Sequence, residues 1–189
     1  LWPDTYLFNT DADPSQIANR LENEFNAKLG ELKADFKTKN ISPQTAVIMA
    51  SLIERESGSE EDKSIIVGIL WNRLKKKMKL EIDATVQYAI GTSEFSKYTI
   101  NNKITYPEDF SFWSPLGAGI VRTIDSPYNT YKIKALPVGP ICSPSIDSIR
   151  AVANPTEIDA LYYLHSPDKQ IHTAKTYKEH QENIVKYLQ

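Results

Sequence analysis

Apolar residues recur at helical spacing along most of the chain and alternate as strands only near its end. Asp13-Pro14 joins an N-cap residue to proline at the first helical position. Ile17, Leu21, Phe25, Leu29 and Leu32 follow on one stripe, so the spacing predicts one long amphipathic helix to about Lys37, broken by Lys39-Asn40. Ser42-Pro43 is a second cap-plus-proline start and opens a helix from Pro43 to Glu56. Ser57-Gly58 ends it, with Gly58 expected as a left-handed cap. Glu60, Glu61 and Asp62 place negative charge at the next helix N-terminus, where the dipole favours it, and Val67, Leu70, Trp71, Leu74 and Met78 form that helix's stripe. A short helix is expected from Asp83 to Ile90, ending at Gly91.

From Thr92 to Pro140 the periodicity fades into Ser, Thr, Asn, Pro and aromatics, with weak strands at most. Ser143-Pro144-Ser145 opens a helix to about Ala153, stopped by Asn154-Pro155. Leu161–His165 and Ile171–Ala174 read as strands joined by the turn Ser166-Pro167-Asp168, a hairpin, and Tyr177–Leu188 reads as a final helix. Leu1 to Thr10 reads as an extended lead-in. The class these elements predict is α+β, helix-dominated, with a small β-sheet.

Composition adds limits. The 189 residues suit one domain. Of them 41% are hydrophobic and 24% charged, so the chain can bury a core unaided. A net charge of −2 excludes a broadly basic nucleic-acid surface and an acidic disordered tail. Cys142, the single cysteine, rules out an intrachain disulfide framework. No stretch is apolar for the roughly 18 residues that a membrane span needs. The start at Leu1-Trp2-Pro3-Asp4, without initiator Met or charged leader, reads as that of a piece excised from a longer protein.

The helix Ala46–Glu56, AVIMASLIERE, is apolar almost all round and is therefore expected to be buried, yet it ends in two glutamates. Two residues of separation turn Glu54 and Glu56 about 200° apart around the axis. Glu56 lies on the stripe of Met49, Leu52 and Ile53, and Glu54 nearer Val47, Ala50 and Ser51. A carboxyl group against apolar neighbours has its charged form disfavoured, its pKa raised, and so becomes a candidate general acid. Spacing thus points to Glu56; the bland alternative is two helix-end glutamates reaching solvent or lysines.

Ala50-Ser51-Leu52-Ile53-Glu54-Arg55-Glu56, Asn72-Arg73-Leu74 and Leu80-Glu81-Ile82-Asp83-Ala84-Thr85-Val86-Gln87-Tyr88 resemble the MltG (YceG-like) family of bacterial endolytic murein transglycosylases. The resemblance continues through Trp2-Pro3-Asp4-Thr5-Tyr6, Ser126-Pro127-Tyr128-Asn129-Thr130-Tyr131, Leu136-Pro137-Val138-Gly139-Pro140-Ile141, Ser143-Pro144, His172-Thr173 and His180, nearly end to end. It implies a single YceG-like catalytic domain over residues 1–189 with a lysozyme-like core, taken from a membrane-anchored parent, with residues 92–125 as an elaborated loop. It implies action at the extracytoplasmic face of the bacterial membrane on peptidoglycan glycan strands, beside wall-synthesis enzymes, with no cofactor, metal or nucleic acid. The reaction it implies is cleavage of the MurNAc-β-1,4-GlcNAc bond with 1,6-anhydro-MurNAc ends and the second Glu of the pair, Glu56, as general acid and base. The implied substrate-binding residues are Asn72, Asp83, Thr85, Tyr88, Tyr128, Asn129, Thr130, Tyr131 and His172, with Asp83 expected to be structural or substrate-orienting rather than a second acid. A non-catalytic glycan-binding scaffold is the alternative. Ala84, Glu81 and Ala174 depart from the family's usual Pro, Gln and aromatic.

Of the other signals, Phe95, Tyr98, Tyr106, Phe110, Phe112, Trp113, Tyr128 and Tyr131 could stack on sugar rings or simply pack an irregular segment. Lys75, Lys76, Lys77 and Lys79 read as a solvated helix end, with attraction to anionic wall polymers as the sharper alternative. His165, His172 and His180 lack metal-ligand spacing.

Overall fold

A computed structural model describes residues 3–100 and 103–188. Leu1 and Trp2 of the lead-in lie outside the described residues. The expected α+β class is borne out: helices dominate, and the strands form two antiparallel pairs.

The predicted first helix is two. α1 (Pro14–Glu31) starts at the Asp13 cap, whose side chain pairs with Gln16 in a capping box, and α2 (Lys33–Lys39) follows. The break falls at Leu32, with φ −100° and ψ 5°. Periodicity cannot show it, because Leu32 continues the stripe. The turn carries Leu32 and Phe36 into the core, 6% and 2% exposed, while no residue of α1 is fully buried. Asn40 closes α2 at φ 54°, a left-handed conformation asparagine tolerates.

α3 (Pro43–Glu56) starts at the Ser42 cap and is the centre of the molecule. Ala46, Met49, Ala50, Leu52 and Ile53 have no exposed surface. Each of the large ones contributes about 1.5–3 kcal/mol by leaving water. α4 (Glu60–Lys75) begins at Ser59 and ends where Lys77, at φ 54°, lets the Met78 N–H reach the Arg73 carbonyl at 2.9 Å. Met78, expected on the helix, therefore lies just past it. α6 (Ile146–Ala153), capped by Ser145, packs Ile149, Val152 and Ala153 against α3 and α4.

Two glycines do other work than expected. Gly58 is not a left-handed cap, since the helix-ending Ser57 is extended and Gly58 has no positive φ. A Cβ there would sit 3.3 Å from the His165 ring, so its bareness admits that side chain. Gly91 does not end its helix: α5 runs over Asp83–Lys97, and a Cβ at 91 would meet the Phe112 carbonyl oxygen at 2.5 Å. Close backbone approach, not chain termination, explains it. The segment expected as a loop from Thr92 thus begins as helix and continues as a small pair, β1 (Thr99–Ile100) and β2 (Lys103–Ile104).

The C-terminal hairpin pairs β3 (Tyr162–His165) with β4 (Ile171–Ala174) in the register Tyr163↔Thr173 and Leu164↔His172. Opposed residues share a face. Tyr162, Leu164, His172 and Ala174 form one face, beneath α7 (Tyr177–Tyr187), and Tyr163 and His165 point the other way.

Candidate active site

The last turn of α3 sends its two carboxylates in opposite directions. Glu54 faces the N-terminus of α6. Its Oε2 accepts the Ser145 backbone N–H at 3.0 Å, the Ser145 hydroxyl at 2.7 Å and the Ser148 hydroxyl, and the buried Lys63 ammonium lies 3.9 Å away. Burial pushes the Glu54 pKa up, but the Ser148 and Ser145 hydroxyls, the Ser145 N–H and Lys63 together outweigh it and hold it below the ordinary value.

Glu56 faces β3 and the start of α5. It is half-buried, and its Oε2 accepts the Tyr163 hydroxyl at 2.8 Å. Burial pushes its pKa up, and the negative charge of Asp83 adds to the rise. The Tyr163 bond, the nearby His165 and the Ala84 N–H pull the other way and do not cancel it. Tyr163 itself is held well above the usual phenol range, by burial first and then by the Glu56 charge, so it stays a donor. Two glutamates two residues apart are thus driven in opposite directions, the pattern that separates a protonatable acid from a fixed anion.

Asp83, at the first turn of α5, accepts the Tyr131 hydroxyl at 2.6 Å. This ties the expected residues Asp83 and Tyr131 to each other and both to the electrostatics of Glu56. Tyr88 and Tyr128 pack as tilted rings with centroids 4.8 Å apart, Trp113 joins Tyr88 at 6.3 Å, and the Arg55 guanidinium lies 4.1 Å over the Trp113 ring. An aromatic wall therefore begins at the residue preceding Glu56. Tyr98, Tyr106 and Phe110 form a separate group of rings further along, which favours packing for those residues.

Other expected residues lie within the fold. Thr85, Asn129 and Thr130 have no exposed surface. Thr130 Oγ1 accepts the Ile82 N–H at 2.9 Å and meets Thr85 Oγ1 at 3.0 Å. The Asn129 amide donates to the carbonyls of Val121 and Ile124 and accepts the Tyr131 N–H. These three hold the 126–131 turn against α5 and thereby set Tyr131. Asn72 donates to the carbonyls of Ile158 and Ala160 and lines a cavity of about 860 Å³ beside Ser42 and Thr45. Thr45 and Glu56 are eleven residues apart on α3, about 16 Å along its axis, so this cavity opens toward the other end of that helix. His172 lies on the α7 face of the hairpin, stacked 3.6 Å from Tyr187 and bonded to Ser166, away from Glu56.

The sequence pattern missed Tyr163, His165 and Asp62. His165 Nε2 meets the buried Asp62 Oδ2 at 3.1 Å, below Gly58. Strand alternation does put Tyr163 and His165 on one face. What it cannot give is the partner, because the Tyr163–Glu56 contact spans 107 residues. Cys142 donates to the Ser51 carbonyl, and burial pushes its thiol up to about 11, an inert setting. Among the described residues no group of three or more His, Cys, Asp or Glu side chains is placed to hold a metal ion.

Comparison with known proteins follows this geometry. The chain is 33% identical over all 189 residues to the endolytic murein transglycosylase of Bacillus subtilis (strain 168) and 28% identical to that of Streptococcus pneumoniae serotype 2. It covers 47% of the first and 32% of the second, so it spans about half or less of these curated relatives. A crystal structure of a yceG-like protein from Listeria monocytogenes superposes with a TM-score of 0.79 at 30% identity, covering 96% of this chain and 53% of that one. The model of the YceG-like family matches residues 1–186, and with that match in hand the chain, from its lead-in to its last helix, belongs to the YceG-like family.

Proposed function

We propose that this chain carries the catalytic residues of a peptidoglycan lytic transglycosylase, with Glu56 as its general acid and then its base. The observation that carries the reading is the split between the glutamates: Glu56 raised by burial beside Asp83, Glu54 lowered by its serine and lysine partners. In the reaction Glu56 gives its proton to the glycosidic oxygen as the bond from MurNAc C1 breaks. The carboxylate then takes the proton of the MurNAc C6 hydroxyl as that oxygen bonds to C1. The products are a 1,6-anhydro-MurNAc end and a GlcNAc 4-hydroxyl, with no water consumed. An intramolecular nucleophile gains effective molarity, so no second carboxylate is needed to activate water, unlike the pair in ordinary glycosidases. Asp83 acts as the charge that, after burial, raises the Glu56 pKa. Tyr88, Tyr128 and Trp113 offer ring faces to sugars. The relatives' name fits murein glycan strands as substrate; action on the extracytoplasmic side of the membrane, beside wall-synthesis enzymes, is part of the same proposal.

The test is to incubate the chain with uncrosslinked glycan strands and weigh the products. Anhydro-MurNAc ends that disappear in Glu56→Gln are the expected result. Reducing MurNAc ends would make it a hydrolase, and no cleavage by the wild-type chain would favour a glycan-binding scaffold. Persistent cleavage by Glu56→Gln would remove Glu56 from the mechanism.

A further inference from the structure

Glu56 has two carboxyl oxygens, and only one can carry the proton that reacts. Among the described residues, the Tyr163 hydroxyl is the one side chain that hydrogen-bonds this carboxyl, reaching Oε2 at 2.8 Å, and the Ala84 N–H is a weaker backbone donor to it. We propose that Tyr163 is the positioning residue of the acid: its O–H marks Oε2 as a permanent acceptor and so assigns the transferable proton to Oε1.

The argument is one of donors and acceptors. A phenol has one proton to give. If Glu56 carried its proton on Oε2, it would have to donate to the Tyr163 oxygen, and the Tyr163 proton would need another acceptor. The structure supplies none among the described residues. With the proton on Oε1, Oε2 is a carbonyl-type oxygen that accepts from Tyr163. When the proton leaves, Oε2 becomes part of a carboxylate and the same bond strengthens, because hydrogen bonds to ionised acceptors are roughly twice as strong as neutral ones. Tyr163 therefore serves both halves of the cycle without moving. Its place is fixed from the sheet: Tyr163 and His165 share one face of β3, and Asp62 on α4 holds His165 under Gly58.

The groups that act on Glu56 come from every element around it. β3 supplies Tyr163 and His165, the start of α5 supplies Asp83 with Tyr131 bonded to it, and α4 supplies Asp62 behind His165. Arg55, on the same helix, is turned onto Trp113. Of the forces favouring the Glu56 carboxylate, the Tyr163 bond is the largest.

The proposal rests on Glu56 being the acid, and its test separates the two. The Glu56 carboxyl carbon is titrated by ¹³C NMR, alongside the pH profile of cleavage, in wild type, Tyr163→Phe and a chain with 3-fluorotyrosine at position 163. Phenylalanine keeps the ring and removes the donor. The Glu56 midpoint is expected to rise by about one pH unit, the worth of a hydrogen bond to a charged group, and kcat to fall about tenfold while KM holds. The alkaline limb of the cleavage profile should rise with the midpoint. Fluorination makes the hydroxyl a stronger donor and should move the midpoint down, an opposite sign that loss of packing cannot produce, and it reads the bond even where Phe does not fold. An unmoved midpoint in both chains overturns the proposal. Cleavage surviving in Glu56→Gln overturns the acid assignment instead, and leaves the titration result standing.

Discussion

Glu54 and Glu56 share a residue type, a helix and a last turn, and they differ only in the side of α3 from which they leave. On the α6 side, Glu54 meets a helix N-terminus with its capping serine, a second serine and a buried lysine, all donors. On the β3 side, Glu56 meets one tyrosine, the weaker influences of His165 and the Ala84 N–H, and a neighbouring carboxylate. The first setting dissolves a negative charge in fixed donors and spends it on joining two helices. The second leaves the charge under-compensated. The difference teaches that a helix that is buried all round has no neutral place for a carboxylate, and what faces each one decides whether it is a joint or a reagent.

The sharpest way to break the comparison is to neutralise each glutamate in turn. Glu56→Gln is expected to lower cleavage by about 10²–10⁴-fold, the usual contribution of general acid catalysis, with the fold intact. The sign on stability follows from linkage. The folded state raises the Glu56 pKa, so burial of its charge costs stability above the carboxylate range and costs nothing well below it. Glu56→Gln should therefore melt slightly above wild type at pH 7, and the gap should close as pH falls through the carboxylate range. A variant that loses activity and melts lower at every pH would mean that Glu56 is a structural joint like its neighbour.

Glu54→Ala carries the opposite expectation. It strips acceptors from Ser145 and Ser148 and leaves Lys63 with Glu60 and the Ser145 hydroxyl. Breaking such a pair costs about 3–5 kcal/mol when fully buried; the Glu54 side chain keeps 30% exposure, so a loss of roughly 2–3 kcal/mol by denaturant unfolding is expected. Cleavage per folded molecule should stay within about threefold of wild type. If instead it fell as far as in Glu56→Gln, the division between the two faces would collapse.

A third substitution bounds the site. Asn72→Ala removes two hydrogen bonds to the carbonyls of Ile158 and Ala160 and should cost about 1–2 kcal/mol. Cleavage should be unchanged within about twofold, because this end of α3 is remote from Glu56. Loss of binding to glycan strands without loss of stability would restore Asn72 as a contact.

These cases show what the sequence could and could not carry. α3 was legible from Ser42-Pro43 and the apolar run, and its stripe singled out Glu56 because both are local properties of one helix. The hairpin was legible for the same reason. The break at Leu32 was not, because bending there serves the burial of Leu32 and Phe36 rather than any local preference. Gly58 and Gly91 looked like helix ends because sequence shows only that a side chain is absent, not which neighbour uses the space. Motif blocks marked Thr85 in one segment and Asn129 and Thr130 in another, yet residues that buttress a site and residues that touch a ligand leave the same trace in a motif. Tyr163 fell in no block, and its partner lies 107 residues away.

The finest probe of the comparison is Asp83→Asn, which leaves both glutamates in place and alters only what Glu56 faces. Asp83 raises the Glu56 pKa by its charge, a smaller influence than the opposing bond from Tyr163. Removing that charge lets Glu56 ionise more readily, so the alkaline limb of cleavage should move to lower pH, by less than the upward move expected from Tyr163→Phe. The asparagine still accepts the Tyr131 hydroxyl, so that tie survives and the acid plateau should be close to wild type. The stability carried by Glu54 should not respond to Asp83→Asn, since the groups acting on Glu54 are Ser145, Ser148 and Lys63. A fall as deep as that of Glu56→Gln, on an intact fold, would instead make Asp83 a second catalytic acid. The chemistry would then move toward the two-carboxylate hydrolysis that consumes water.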